Sequence, residues 1–386
     1  MAEAYIVDAI RTAGGRRKGA LAGWHPADLG AEVLNALVTR TGIDPETIDD
    51  VIMGCVTKAG EQGFNIARNC VLASDLPTSV PATTVDRQCG SSQQALHFAA
   101  QAVMSGTQDM VIAGGVESMT RVPMFADMTV LAKAGIGEGP VSARMSKRFG
   151  VDSFSQFVGA EMIAERHGLS REALDAYALE SHRRAAAATE AGAFEREILP
   201  LQLEQGTHLR DEGIRFDATP EGIAGVEPIQ EGGVLSAANA SQICDGASGV
   251  LVVGERALRA HGLTPIARIV DMTVTAGDPV VMLEEPIRAT RRSLEKAGLS
   301  LEDIALFEVN EAFAPIPLAW LKELRADPAK LNVNGGAIAL GHPLGASGTR
   351  LMSTLIHALR AKGAGYGLQT MCEGGGTANV TIVEAL

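Results

Sequence analysis

The segment Gly42-Ile43-Asp44-Pro45-Glu46-Thr47-Ile48-Asp49-Asp50-Val51-Ile52 returns 256 positions later as Gly298-Leu299-Ser300-Leu301-Glu302-Asp303-Ile304-Ala305-Leu306-Phe307-Glu308. Each copy follows a helical pattern and leads toward a strand. Each is then followed by the same succession: a glycine-bearing turn, a long helix, a strand and a glycine cluster. In the first half these are Cys89-Gly90, a helix over 91–104, a strand over 110–113 and Gly114-Gly115. In the second they are the turn 341–348, a helix over 349–361, a strand over 367–371 and the glycines 374–376. The period is too long for a solenoid. The pattern therefore predicts a duplicated α/β unit whose halves are related by a pseudo-twofold, with parallel or mixed sheets covered by helices. Residues 118 to 239 interrupt the repeat with polar turns, a helical run over 161–189 and a charged stretch over 204–216. They read as an inserted lobe, the kind of segment that supplies substrate-binding surface. Arg215 is its candidate anion holder; a solvated charged loop is the alternative.

Other features bound the function. A chain of 386 residues with 46% hydrophobic residues exceeds one core and supports several packed layers. Aromatics are scarce at 4% and glycines number 43, which suits helices lying close on strands. The formal charge of −13 argues against nucleic acid, so an anionic ligand must meet a locally positive pocket. Five scattered cysteines do not make a disulfide framework and point to a reducing compartment. The first residues read as a strand rather than a signal peptide. The apolar runs fall short of a membrane span, and the last residues are not a peroxisomal address; these readings predict a soluble cytoplasmic protein. Histidine and cysteine at metal-ligand spacing and a phosphate loop ending in Lys-Ser or Lys-Thr are both missing, so no metal is expected.

Two thiols stand where an apolar strand gives way to glycine: Cys89 in Arg87-Gln88-Cys89-Gly90-Ser91-Ser92 and Cys372 in Met371-Cys372-Glu373-Gly374-Gly375-Gly376. Cys89 directly precedes a helix, whose N-terminus favours thiolate and aims free amides at a developing oxyanion. His342 lies in the glycine-rich turn Gly341-His342-Pro343, where proline restricts its backbone and suits a fixed imidazole. One thiol can serve as nucleophile and another as general acid and base if their environments differ. Asn310, at the end of the second echoed strand where Gly54 ends the first, suggests an oriented ligand or water. Buried structural cysteines and a turn histidine packed for shape are the competing readings.

Taken together these segments resemble the thiolase family over essentially the whole chain. The matching blocks are Cys89-Gly90-Ser91, Gly114-Gly115-Val116-Glu117-Ser118-Met119, Asn239-Ala240-Ser241, Asn310-Glu311-Ala312-Phe313, Gly335 through Pro343, and Cys372-Glu373-Gly374-Gly375-Gly376. The resemblance implies an α/β fold with a five-layered α/β/α/β/α core of two duplicated halves and an inserted loop domain that binds coenzyme A. On this chain the halves fall at 1–117 plus 240–265 and at 266–386, with the loop domain at 118–239. It also implies thiolytic cleavage of 3-ketoacyl-CoA and the reverse condensation by ping-pong acyl transfer. Coenzyme A is then a co-substrate, no cofactor is permanently bound, and the assembly is a homodimer or homotetramer.

Carried over residue by residue, Cys89 is the acylated nucleophile, His342 its base, and Cys372 the acid and base toward the departing and arriving groups. Asn310, through a water, forms one oxyanion hole with His342; the amides of Cys89 and Gly374 form the other. Arg215, Ser241 and Met282, with Ala237 and Phe313, match positions along the coenzyme A path. Two blocks depart from short-chain biosynthetic members: Ser155-Gln156-Phe157-Val158-Gly159 replaces a His-Met-Gly pattern, and Met282-Leu283-Glu284-Glu285-Pro286 lacks Met-Gly-x-Gly-Pro. The block around Cys89 resembles thiolases of actinobacterial lipid and sterol breakdown, which implies longer or bulkier acyl chains. The alternatives are a biosynthetic acetoacetyl-CoA-forming thiolase, a ketoacyl synthase, which usually has histidine where this chain has Cys372, and a non-catalytic coenzyme A scaffold.

Overall fold

The computed structural model describes residues 2–363 and 365–386. The first half runs through β1 (Ala4–Thr12), α1 (Pro26–Thr41), β2 (Asp50–Gly54), α2 (Ile66–Ala73), β3 (Ala82–Val85), α3 (Ser91–Ser105) and β4 (Met110–Ser118). A long excursion follows, containing α4 (Gln156–Arg166) and α5 (Arg171–Glu190), before β5 (Cys244–Gly254) returns. The second half comprises β6 (Ala267–Ala276), α6 (Pro286–Ala297), β7 (Ile304–Val309), α7 (Pro315–Leu324), α8 (Ser347–Lys362), β8 (Gly365–Glu373) and β9 (Thr377–Ala385).

The strands form one path, β7-β8-β9-β6-β1-β5-β4-β2-β3. Read outward from its middle, each side repeats the other. β1-β5-β4-β2 is joined antiparallel, antiparallel, parallel, and so is β6-β9-β8-β7. Even the irregularity recurs: the ladder shifts between Ile6 and Asp8 in one half and between Ile269 and Asp271 in the other, inside an Ile-Val-Asp common to both. Among the described residues only two ladder pairs, Tyr5 with Arg268 and Ile6 with Ala267, connect the half-sheets. The outermost strand β3 has a counterpart reduced to a single bridge between Phe307 and Leu331.

Helix signals in the sequence explain the repeated layers. Both α1 and α6 begin with proline in their first turn and end at a left-handed glycine, Gly42 and Gly298, each at φ 67. Three apolar cores result. One lies under α1 and α2 (Leu34, Leu37, Cys70, Val71), and one lies between the half-sheets around α3 and α8 (Leu96, Ala99, Met352, Leu355). The third lies under α6 and α7 (Leu294, Ile316, Trp320). This is the α/β/α/β/α layering. In the middle layer a Cβ added at Gly348 would sit 2.1 Å from the backbone nitrogen of Gln93, so α8 crosses α3 at backbone contact.

Two local expectations change. The helical run over 161–189 is broken at His167–Ser170: Gly168 turns left-handed at φ 59, and Ser170 caps α5 by accepting from the Ala173 amide. Gly114-Gly115 does not end its strand but lies inside β4, where a Cβ at Gly115 would meet the Gly345 carbonyl at 2.1 Å. Glycine there admits the turn that carries His342.

Glu308 on β7 is buried, and its Oε2 lacks a protein hydrogen-bond partner among the described residues. Burial, followed by repulsion from Glu311 and Glu197, raises its pKa well above the usual carboxylate range. A raised folded-state pKa means stability is lost as pH climbs from the unfolded carboxyl range toward the folded value. Glu308→Gln, neutral at every pH, should therefore unfold about 2–4 °C higher at pH 8, with the difference vanishing near pH 4, as read by thermal melts.

Candidate active site

Cys89 sits in a tight turn at the mouth of α3. Gln88 takes a left-handed φ of 50, the Gly90 amide donates to the Arg87 carbonyl at 3.1 Å, and the Ser91 amide donates to the Gln88 carbonyl at 3.0 Å. The Ser91 hydroxyl accepts from the Arg87 amide at 2.9 Å and donates to the Gln88 carbonyl at 2.6 Å, locking the turn. The Cys89 sulfur is met by its own amide and by that of Gly374, from the turn between β8 and β9. Leu344 and Met371 pack with Cys89 in one small cluster, so the His342 turn and β8 both reach it.

Cys372 is the next-to-last residue of β8, fully buried, close enough to Cys89 that charge on either sulfur opposes charge on the other. The sequence expectation of a thiolate favoured by the helix N-terminus does not describe the resting state. Burial, then repulsion from Glu373, pushes Cys89 up to about 12 despite the two amides, and burial and Cys89 push Cys372 well above its usual value. Both thiols are protonated at neutral pH.

His342 is 3% exposed, and burial, then the nearby Arg350, lowers its pKa to about 3, so it rests neutral. Its tautomer follows from its partners. The Ser347 hydroxyl donates its one proton to the Pro343 carbonyl at 2.9 Å, so at 2.5 Å it accepts from Nδ1–H of His342. That leaves Nε2 with a lone pair, toward which Nδ2 of Asn310 donates at 3.3 Å. The Asn310 Oδ1 is buried without a protein partner among the described residues. Asn310 is itself fixed by its amide donating to the Thr370 carbonyl, two residues before Cys372.

Below the histidine lies a charge-balanced network. Arg350 of α8 donates to the carbonyls of Leu340 and Gly341 and lies 3.8 Å from Asp211. Asp211 also binds Arg11 at 2.8 Å, and Arg11 pairs with Glu197 at 2.6 Å. These buried ions satisfy one another and clamp the turn that ends in His342.

Arg215 and Ala237 line a cavity of about 400 Å3 together with His182, Thr219, Gln242 and Ile338. The Arg215 guanidinium is exposed and makes no ion pair among the described residues, which leaves positive charge available on an acidic protein. Gln242 ties this cavity to the thiol site: its carbonyl accepts from the His342 amide at 3.0 Å. Ser241 precedes it and donates its amide to the Ala312 carbonyl at 2.9 Å. Phe313 and Met282 are buried in the same apolar cluster as Cys372 and Ile338, and the Phe313 ring meets Phe157 edge-on at 5.4 Å. Met282 adopts φ 64. Of the ten candidate residues, five gather at the thiol site and Arg215 and Ala237 line the cavity, while Ser241, Met282 and Phe313 are not among its lining residues.

Sequence reasoning missed Ser347, Arg350 and Glu373, and gave Glu117 no role. Ser347 could have been found by its five-residue spacing from His342 on a turn entering a helix. Arg350 reads as an ordinary surface residue of an amphipathic helix, and only the layering shows that it is buried. The carboxylate of Glu117 accepts from the amides of Val56, Thr57 and Gly345 and from Gln62, tying the first half to the His342 turn.

Fold and site together define the class, an acyl-transfer enzyme on a duplicated α/β scaffold. Residues 4–256 match the thiolase N-terminal domain and residues 263–385 the thiolase C-terminal domain, and the chain belongs to the thiolase family. It is 55% identical to a steroid 3-ketoacyl-CoA thiolase of Mycobacterium tuberculosis, covering 100% of this chain and 95% of that protein. It is 43% identical to a 3-ketoacyl-CoA thiolase of Cronobacter sakazakii, covering both chains completely. The acetyl-CoA acetyltransferase of Bacillus anthracis superimposes with a TM-score of 0.91 at 35% identity, covering 100% of this chain and 99% of the other.

Ser347→Ala removes the acceptor that holds Nδ1 protonated. Turnover should fall about 10–100-fold with KM for coenzyme A unchanged, measured by steady-state thiolysis.

Proposed function

We propose that this chain cleaves 3-ketoacyl-CoA by thiolysis, in fatty-acid or sterol-type lipid degradation, and catalyses the reverse condensation. The observation that carries this reading is the meeting of two buried, protonated thiols from opposite halves beside a neutral imidazole whose Nε2 carries a lone pair. Cys89 attacks the 3-keto carbon as its proton passes to Nε2 of His342. The C2–C3 bond then breaks, its electrons go to the acetyl-CoA enolate, and Cys372 supplies that carbon with a proton. Cys372 thiolate next takes the proton of an incoming coenzyme A thiol, whose sulfur collects the acyl group. Cys89 leaves as thiolate and recovers its proton from His342, which balances the cycle.

Charge develops twice on oxygen. The amides of Cys89 and Gly374 serve the acyl oxyanion, and His342 with Asn310, through a water, serves the enolate. The lobe 118–239 is the coenzyme A-binding unit, set between the halves 1–117 plus 240–265 and 266–386. Arg215 meets the nucleotide end, and Ser241, Ala237, Met282 and Phe313 line the approach. The 55% identity to a steroid 3-ketoacyl-CoA thiolase supports a bulky acyl chain. Coenzyme A is a co-substrate, and nothing in the scheme requires a resident cofactor.

The unpaired edge of β3, and Phe64 at 93% exposure beside it, support pairing with a second copy as a homodimer or homotetramer. The five unpaired cysteines suit the cytoplasm, and among the described residues no helix is long and apolar enough to cross a membrane.

Incubation with acetoacetyl-CoA, followed by peptide mass analysis, should place the acyl group on Cys89; label elsewhere contradicts the scheme. Cys372→Ala should lower thiolysis at least about 1,000-fold while coenzyme A affinity, read by calorimetry, stays within about twofold. Arg215→Ala should do the opposite, raising KM for coenzyme A about tenfold with little change in turnover.

A further inference from the structure

Glu117 and Glu373 occupy the same position in the two halves. Ala113 pairs with Val250 as Gln369 pairs with Thr381, in ladders that match strand for strand, and each glutamate lies four residues further along. The 256-residue offset of the repeat likewise carries Glu117 to Glu373 and Cys89 to Gly345. Their surroundings differ sharply. Glu117 faces Gly345 and is saturated by three backbone amides and Gln62. Glu373 faces the Cys89-Gly90 turn instead and lacks that cradle. Its Oε2 accepts from the Thr377 hydroxyl at 2.8 Å, while the buried Oε1 has no partner among the described residues. That Oε1 lies where a Cβ on Gly90 would be, 1.8 Å from the built position, so only glycine after Cys89 admits it.

The groups facing Glu373 are few. Arg87 and Cys89 come from the turn before α3, Cys372 from its own strand, and the backbone of Asn379 from β9. Arg87 is the one cation among these, and its buried Nε is also unpartnered.

We propose that Glu373 acts through Cys89 as an electrostatic gate: as a neutral acid it lets the nucleophile shed its proton, and as a carboxylate it opposes thiolate formation, setting the alkaline limit of Cys89 reactivity. This rests on the reading of Cys89 as nucleophile. Burial, opposed by Thr377 and Arg87, pushes Glu373 up to about 8, so the gate turns near that pH. The same geometry makes the Glu373 carboxylate, after burial, the main opponent of charge on Cys89.

The test needs no turnover. Alkylation of Cys89 by iodoacetamide, quantified on the Cys89 peptide from pH 6 to 10, reports thiolate availability directly. In the wild-type protein the rate should climb about tenfold per pH unit, run nearly flat around pH 8, then climb again. Glu373→Gln should match wild type at pH 6.5 and exceed it about tenfold at pH 9. A ratio between the two proteins that does not change with pH overturns the proposal, as does an unbroken wild-type climb. If the variant does not fold, the wild-type profile alone decides: an inflection supports the gate and a straight line removes it. Failure of Cys89 to take acyl from acetoacetyl-CoA would instead sink the thiolysis reading, so the two failures are distinguishable.

Discussion

The crossing of α3 and α8 at backbone contact is the constraint on which the rest depends. Gly348 brings the two helices together, and the Thr349 amide donates to the Ser92 hydroxyl at 3.0 Å across the boundary between halves. Because Cys89 opens α3 and the His342 turn leads into α8, that one crossing brings nucleophile and imidazole to the same end of the middle layer. Cys372 reaches the same place because β8 runs beside α8 and ends there. A bulkier residue at the crossing would separate groups whose chemistry needs placement to a fraction of an ångström.

Burial then decides how the site works. Both thiols and the imidazole are buried, so each rests in its uncharged form, and charge appears only while bonds are being made and broken. In such surroundings fixed amide dipoles do more than they would in water, because little solvent screens them. The network of Arg350, Asp211, Arg11 and Glu197 supplies rigidity just below. It holds the Gly341 carbonyl and the turn, while its own charges stay paired and add little net field beyond the effect of Arg350 on His342.

Much of the fold was legible because duplication leaves a signature that survives divergence: Gly42 and Gly298 end equivalent helices, and Pro26 and Pro286 begin them. The thiols, His342 and Asn310 stood out because reactive side chains beside glycine are rarely needed for packing alone. What the sequence did not reveal was environment. The helix N-terminus at Cys89 suggested a stabilised thiolate, yet desolvation outweighs it, and desolvation is a property of the assembled layers. Arg350 was illegible for the same reason: nothing local to α8 distinguishes a buried helix face from an exposed one when the residues on it are polar. Gly114-Gly115 misled because paired glycines suggest a strand end, whereas here they make room for the Gly345 turn.

The central claim is that sulfur atoms from the two halves share one reacting centre. A crystal structure of the protein soaked with acetyl-CoA tests it most directly. The account predicts an acetyl group on the Cys89 sulfur, its carbonyl oxygen on the amides of Cys89 and Gly374, and the Cys372 sulfur facing the acetyl methyl. Coenzyme A seated away from Cys89, or a Cys372 sulfur turned from the acyl group with no path between them, would contradict it.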